Sequence, residues 1–306
     1  MLDAKHKVQY TYLMNQLSLA KRVQILSMLC EGVSMRSISR MVDVSINTVT
    51  KLLVDAGQVC LSYHDERVTR VRTKRVQCDE IWSFTYAKQK NVAKSKIAPA
   101  GAGDTWTWTA IDADSKLIVS WLVGRRDARH AQILIDDLKN RLANRVQITT
   151  DGLKVYADAI ERTFGADVDF AMLVKLYGEA GMDSPERKYS PSECIGTKVH
   201  VMTGDPDADY ISTSYVERQN LTMRMHMRRF TRLTNGFSKK FENHVHMVAL
   251  YTVFYNWIKI HKTLRVTPAM QAGLSTQVCT FEDLVQLIEA NQPKPGPRGP
   301  YNKRAA

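Results

Sequence analysis

The sequence predicts an α/β protein in which a mixed sheet with flanking helices follows an all-α N-terminal unit. Two observations predict the sheet. Residues 76–124 contain three successive runs rich in β-branched and aromatic residues, and further strand-like runs then alternate with helical apolar patterns. A third observation predicts the all-α unit, because three short helical patterns follow one another between residues 17 and 57. With 306 residues and 44% hydrophobic content, the chain is long enough for two folded units.

Charge and cysteine content narrow the class of protein. The chain has 43 Lys and Arg against 31 Asp and Glu, which gives a net charge of +12. This charge favours nucleic acid as the partner. A basic protein that binds a membrane surface, or that is merely soluble, is the alternative. The five cysteines contain no C-x-x-C pair, which predicts reduced thiols and argues against a Cys-rich zinc site. The first residues lack an apolar signal core, and no run approaches about 18 apolar residues, so we expect a cytoplasmic protein without membrane contact.

The three N-terminal helical patterns predict a helix-turn-helix within residues 1–64. Ser34 and Ser45 are positioned to cap the second and third helices, and Asp43 lies in the turn between them. The third helix, from Ile46 to about Ala56, would present its first turns to the major groove. The residues expected to contact DNA there are Asn47, Thr48, Thr50 and Lys51. The same pattern also fits a three-helix bundle that mediates only protein contact.

Residues 65–75 follow as a predicted basic linker. They contain four arginines and one lysine at close spacing. Arg72 and Lys74 are candidates for contacts with DNA phosphates between the two folded units. A solvated run of charge is the ordinary alternative for such a stretch.

The second unit, residues 76–235, has a characteristic order of elements. Three antiparallel strands come first, followed by helix, strand, helix, strand and a final helix. This is the order of a ribonuclease H-like fold with a mixed five-stranded sheet, in which the fourth strand lies beside the first. The elements are expected at residues 76–86, 106–113, 117–123, 127–142, 145–149, 156–164, 167–177 and 212–232.

Carboxylates occupy unusual positions in these elements. Asp79 and Glu80 interrupt an otherwise apolar strand, where a buried charge needs a hydrogen-bonded partner, a cation or a metal. Asp151 directly follows the fourth strand, so we expect it within reach of a metal ion shared with Asp79. Glu80, as the neighbour of Asp79 in a strand, should face the opposite side. Glu217 on the final helix is either a third ligand or a salt-bridged residue of an exposed helix.

Basic residues accompany Glu217 along the final helix. Arg224 follows it by two helical turns and therefore points the same way, which suits a site for both divalent metal and DNA phosphate. Arg218 and Arg228 extend this basic face.

Three motifs carry a family resemblance. Cys78-Asp79-Glu80, Thr150-Asp151-Gly152 and Glu217-Arg218-Gln219-Asn220, followed by the Arg-rich helix, resemble the motifs of DDE transposases of bacterial insertion sequences, of the insertion-sequence-1 type. The resemblance covers residues 76 to about 273. It implies that Asp79, Asp151 and Glu217 are the catalytic, metal-binding triad for two Mg²⁺ or Mn²⁺ ions, which prefer oxygen ligands.

The resemblance also implies an activity. We expect the chain to bind the ends of its insertion sequence, to cleave DNA strands there and to transfer the 3′-ends into target DNA. Because two ends must be brought together, we expect a homodimer or higher homo-oligomer on DNA, associated with the bacterial nucleoid. Two alternatives remain open: a ribonuclease H-like nuclease or resolvase that does not join strands, and a non-catalytic DNA-binding repressor.

The chain departs from the family pattern in two places, and two further regions follow its last motif. The chain lacks the N-terminal Cys-rich element of some members. Residues 178–212 are polar and interrupted by Pro and Gly, which indicates an insertion before the last motif. Residues 236–290 are predicted to be helical, and residues 291–306 to form a basic mobile tail.

Overall fold

A six-stranded sheet in the order β3-β2-β1-β4-β5-β6 forms the centre of the molecule. The computed structural model describes residues 17–178, 194–231 and 234–292. The strands are β1 (Arg75–Thr85), β2 (Gly103–Asp112), β3 (Ile118–Gly124), β4 (Gln147–Thr150), β5 (Asp169–Tyr177) and β6 (Cys194–Thr203). The helices are α1 (Leu19–Cys30), α2 (Met35–Val42), α3 (Ile46–Arg67), α4 (Gln89–Val92), α5 (Ala128–Arg141), α6 (Val155–Phe164), α7 (Ser214–His226), α8 (Phe241–Val253), α9 (Pro268–Gln271) and α10 (Phe281–Asn291).

Strand pairing confirms the predicted neighbour relations at the centre of the sheet. β1, β2 and β3 form an antiparallel meander. β4 pairs in parallel with β1, and the last pair joins Cys78 to Thr150. Beyond Cys78, β1 continues beside β2 to its end at Thr85, where a single parallel bridge to Ser238 lies on its other edge. Between Asp79 and this bridge, no strand of the described chain pairs with the edge of β1 next to β4.

The expected count of five strands is wrong. β6 pairs antiparallel with β5 and lies inside the region predicted to be an insertion, of which residues 179–193 fall outside the described chain. Every residue of β6 is at least partly exposed, so the strand has no alternation of buried and exposed positions that would reveal it in the sequence. Pairing with β5 specifies it instead.

The N-terminal helices follow the predicted pattern at their starts. The Ser34 hydroxyl accepts a hydrogen bond from the Ser37 amide, and the Ser45 hydroxyl accepts one from the Asn47 amide. The third helix, expected to end near residue 56, continues to residue 67. Its second half buries Cys60 and packs along α8. Burial against this second helix explains why α3 is longer than a short recognition helix.

The segment predicted to be a linker is held against the second unit. Residues 65–67 complete α3. Val71 then forms a parallel bridge with Leu142, and the Thr73 hydroxyl donates a hydrogen bond of 2.7 Å to Asp112. The predicted domain boundaries stay a prediction, since one cluster of buried apolar residues joins the N-terminal helices, the sheet and the C-terminal helices.

The C-terminal region, residues 236–291, contains α8, α9 and α10. α8 passes into a π-helical turn at Phe254–Ile258, and α10 begins with a capping box between Thr280 and Asp283. α10 returns to α1, where Arg22 pairs with Glu289 at 2.5 Å. The predicted tail lies almost wholly outside the described residues, which end at 292. No helix in the described ranges is long and apolar enough to cross a membrane.

Candidate active site

Three carboxylates meet where β4 ends beside β1. Asp79 and Glu80 lie just past the last β1–β4 pair, and Asp151 follows β4 directly. One ligand oxygen from each of the three lies within 4.8 Å of the others. Among the described residues, this is the one group of acidic, His or Cys side chains close enough to hold a metal ion.

Glu80 contributes an oxygen to this cluster, which its expected position opposite Asp79 in the strand did not predict. It is held by residues other than those that hold Asp79. Its carboxylate accepts hydrogen bonds from Arg126 at 2.6 Å and from the Tyr156 hydroxyl at 3.2 Å. Burial, and then the nearby Asp151, raise the pKa of Glu80, while Arg126 opposes this rise.

Asp79 is held from the side of α7. It accepts hydrogen bonds from the Asn220 side-chain amide and the Glu80 backbone amide, each 2.8 Å long. Burial is the main cause that raises the pKa of Asp79 to about 7, followed by the charge of Glu80. Asp151 and Glu217 add smaller contributions in the same direction. Glu217 is thus within electrostatic range of Asp79.

Glu217 is paired with a lysine. Lys175 of β5 donates to both of its carboxylate oxygens at 2.5 Å, and the Thr213 hydroxyl donates to one of them at 2.7 Å. The Thr213 hydroxyl therefore binds the Glu217 carboxylate and makes no capping hydrogen bond to the start of α7. The carboxylate of Glu217 is not part of the group whose oxygens lie within 4.8 Å.

The residues at this site fit a divalent cation of the Mg²⁺ or Mn²⁺ class. The cluster offers carboxylate oxygens, which are hard ligands. No ion pair between described residues involves Asp79 or Asp151, so no described cation is paired with either carboxyl group. The buried Asn220 Oδ1 atom also has no hydrogen-bond partner among the described residues. A cation at the cluster would offset this concentration of negative charge.

The side chains predicted to read DNA bases lie at the start of α3. Asn47 and Lys51 are exposed, and Thr48 and Thr50 are half-buried. Two of them already have partners within α3. The Thr50 hydroxyl donates to a backbone carbonyl one turn earlier, and Lys51 forms an ion pair of 3.1 Å with Asp55. The surface is open to a partner, and its role stays a prediction.

The predicted phosphate contacts lie in two parts of the chain. Arg72 and Lys74 are exposed just before β1. Arg218 is exposed on α7, where Arg224 is half-buried. Their role as contacts to DNA phosphates stays a prediction.

Arg228 falls outside α7, because this helix ends at His226, earlier than expected. It is exposed in the 3₁₀ turn Arg228–Phe230 that follows. Arg228 also lines a cleft together with Thr50 of α3. A predicted phosphate contact and a predicted base contact therefore share one surface.

Sequence reasoning missed the parts played by Lys175, Asn220 and Arg126. Asn220 carried a signal, because it follows Glu217 by three residues and shares its helical face. Lys175 and Arg126 had no signal, since tertiary structure alone brings them to Glu217 and Glu80.

Comparisons with known proteins leave the family undetermined. No family model matches the chain, and no curated protein matches it. Among solved structures, it is similar to a piggyBac transposase synaptic complex with hairpin DNA, with 10% sequence identity, a TM-score of 0.29 and coverage of 72% of this chain and 52% of that chain. A Mos1 transposase paired-end complex with left transposon end gives 14% sequence identity and a TM-score of 0.20, with coverage of 48% of this chain and 58% of that chain. A pre-cleavage Mos1 transpososome gives 12% sequence identity and a TM-score of 0.19, with coverage of 51% of this chain and 60% of that chain.

These structural similarities are distant. The chain spans between 52% and 60% of the length of the matched chains. At such TM-scores, function has to be argued from the geometry of this chain alone.

Proposed function

We propose that the chain is a metal-dependent DDE transposase of the insertion-sequence-1 type, which binds the ends of its insertion sequence, cleaves DNA there and transfers the 3′-ends to target DNA. The observation that carries this proposal is the convergence of carboxylate oxygens from β1 and the end of β4 within 4.8 Å, with Glu217 of α7 in electrostatic range. The net charge of +12 supports a polyanionic substrate. A homodimer or higher homo-oligomer on DNA is part of the proposal.

The three carboxylates of the triad would hold the metal. Asp79, Asp151 and Glu217 would hold two Mg²⁺ or Mn²⁺ ions, which would supply positive charge for phosphodiester cleavage and transfer. Asn220 fixes the orientation of Asp79 through its 2.8 Å hydrogen bond.

Two basic residues pair with carboxylates of the site. Arg126 forms an ion pair of 2.5 Å with Glu80 and offsets part of its negative charge. Lys175 orients Glu217 by donating to both of its carboxylate oxygens at 2.5 Å.

Strand transfer in vitro tests this function. The assay combines the purified chain, a labelled precut end of its element, a plasmid target and Mg²⁺ or Mn²⁺. We expect joined product from the wild type and a loss of about 100-fold or more in Asp79→Asn, Asp151→Asn and Glu217→Gln. Asp158→Asn is the matched control, because Asp158 is an exposed carboxylate of α6 outside the cluster.

The other outcomes separate the alternatives. Joining that survives one of the three substitutions would show that this carboxylate is not part of the triad. Cleavage without joining would favour a nuclease or resolvase. Binding of ends by a wild type that neither cuts nor joins would favour a non-catalytic repressor.

A further inference from the structure

Three aromatic side chains form a half-exposed stack at the far end of β1. The rings of Trp82 and Phe84 are 5.9 Å apart, and those of Phe84 and Phe237 are 4.7 Å apart, with interplanar angles of 39° and 34°. All three are half-buried. In the described chain, none of them belongs to the hydrophobic core or to the partly buried residues packed against it. These three residues are named the aromatic strip.

The backbone fixes the position of the aromatic strip. Thr85 forms a parallel bridge with Ser238, and the Tyr86 amide donates to the Ser238 carbonyl at 2.8 Å. These contacts bring Phe237 alongside the end of β1. The order of the strip therefore follows from β1 and the segment paired with it.

The aromatic strip continues directly from the candidate active site. Glu80, Trp82 and Phe84 alternate along β1 and share one face of the strand, with a spacing of about 7 Å between successive members. Tyr156 of α6 covers Glu80, whereas the two aromatic residues beyond it are partly exposed. A strand of nucleic acid lying on the strip would thus lead to the carboxylate cluster.

Lysines lie at both ends of the aromatic strip. The Lys88 ammonium is 5.9 Å from the centre of the Trp82 ring. At the other end, the Lys239 ammonium is 3.9 Å from the centre of the Phe237 ring. Each end of the strip therefore has a cation that can bind a phosphate beside a stacked base.

The cleft that contains Arg228 adjoins the aromatic strip. It has a volume of about 660 Å³, and Phe237 and Lys239 line it on the side of the strip. Arg36 of α2 and Arg228 also line it. No acidic side chain is among the described residues that line it. The positive charge of the strip thus continues into the cleft.

Arg229 strengthens the positive character of this cleft. Its guanidinium donates to the Ser238 hydroxyl at 2.6 Å and contacts the Met35 sulfur at 3.7 Å. No carboxylate among the described residues forms an ion pair with it, and burial lowers the pKa of Arg229 to about 10, which leaves it charged at neutral pH. A charged guanidinium without a carboxylate partner favours an anion in the cleft.

We propose that the aromatic strip and the adjoining cleft bind an unpaired DNA strand, with bases stacked on Trp82, Phe84 and Phe237 and phosphates on the surrounding cations. Stacking on aromatic rings combined with a positively charged groove is the physical basis of single-strand binding. A duplex keeps its bases stacked internally and offers no base faces to the rings. This inference rests on the proposed function, because it names the DNA form that the same site receives.

Fluorescence anisotropy of the full chain in EDTA tests the proposal without any catalytic step. The probes are a labelled oligothymidylate, an abasic strand of the same length and a duplex. We expect Phe84→Leu and Phe237→Leu to weaken single-strand binding about tenfold each, which is the scale of one lost stacking contact. Binding of the abasic strand and of the duplex should change less than about twofold.

Two controls accompany these variants. Tyr210→Leu removes an exposed aromatic residue that stacks on Arg75 at the opposite end of β1, and should leave all three affinities unchanged. Lys239→Gln should weaken binding of all three probes and reduce the salt dependence by about one phosphate contact.

The outcomes are distinguishable from those of the strand-transfer assay. Unchanged single-strand affinity in both ring variants, or equal losses for single strand and duplex, would overturn the proposal. The wild type supplies a test that does not depend on variant folding, since equal affinity for the abasic strand and the oligothymidylate would also overturn it. A wild type that fails to join DNA but discriminates these probes would refute the proposed function and leave the aromatic strip established.

Discussion

At the residue scale, Glu80 belongs to the acidic cluster and to a separate set of hydrogen bonds. Its carboxylate lies beside those of Asp79 and Asp151, yet it is also tied to Arg126 and Tyr156. Glu80→Gln removes its share of the negative potential that attracts a divalent cation, while it retains the side-chain shape. We expect the Mg²⁺ concentration for half-maximal cleavage to rise about 10-fold, a typical effect of groups that support metal ligands.

Arg126→Gln provides the opposite perturbation for the same measurement. It removes the cation that competes for Glu80, so the required Mg²⁺ concentration should fall. Metal titrations of cleavage, with DNA binding measured separately, distinguish the two variants. If neither variant changes the Mg²⁺ requirement, Glu80 serves only to hold Arg126 and Tyr156.

At the element scale, the local chemistry of the chain predicts helix starts and central strands well, and predicts their ends poorly. The Ser34 and Ser45 caps are local in sequence and were identified correctly. The length of α3 depends on α8, and β6 depends on β5, so neither could be read from a local pattern. The position of Asp151 beside Asp79 was predictable because parallel pairing of β4 with β1 follows from the order of elements. The hydrogen bonds of Glu80 with Arg126 and Tyr156 were not, since they join residues that are distant in sequence.

The contact between α3 and α8 supplies a test at this scale. Gly57 lies in α3 where the two helices approach closely, and a Cβ atom there would lie 2.3 Å from the Cβ of His246. In an isolated helix, Gly→Ala stabilises by about 1 kcal/mol. We expect Gly57→Ala to destabilise the protein instead, by about 1–3 kcal/mol, because the helices must separate. Chemical denaturation measures the difference.

Ser62→Ala on the exposed face of α3 is the matched control and should change stability by less than about 0.5 kcal/mol. Equal or higher stability of Gly57→Ala would show that α3 and α8 do not pack this closely. The result bears on function as well, because the first turns of α3 carry the residues predicted to read DNA. The last turns of α3 pack against the second unit.

At the scale of the whole molecule, two buried histidines lie where the helices meet the sheet. His64 of α3 bonds to the Val119 carbonyl of β3 at 3.2 Å, and His244 of α8 lies within hydrogen-bond distance of Ser83 of β1 and of Ser238. Burial is the main cause that lowers the pKa of His64 to about 4 and that of His244 to about 3, with nearby arginines adding to it. Both are therefore neutral in the folded protein at neutral pH.

These two histidines make the packing of helices on the sheet sensitive to acid. The unfolded chain takes up a proton on each near pH 6.5, whereas the folded chain does not until about pH 4 or 3. Since the unfolded state then binds more protons, the stability that each histidine site has above pH 6.5 is lost as the pH falls toward the folded pKa. The loss is about 1.4 kcal/mol per pH unit and per histidine in this window.

Urea unfolding between about pH 7.5 and about pH 4.5 measures this linkage as a difference between proteins. In His64→Gln and His244→Gln, altered packing lowers the free energy of unfolding by an amount that does not depend on pH. On acidification below about pH 6.5, each variant should lose less of this free energy than the wild type, by about 1.4 kcal/mol per pH unit. Carboxyl groups such as Asp79, whose raised pKa acts in the opposite direction, contribute equally to both curves and cancel. His200→Gln, at an exposed position of β6, should follow the wild-type curve. If the free energy of unfolding depends on pH in the same way in the wild type and in both variants, these histidines take up protons in the folded protein. The helices would then not bury the two side chains against the sheet.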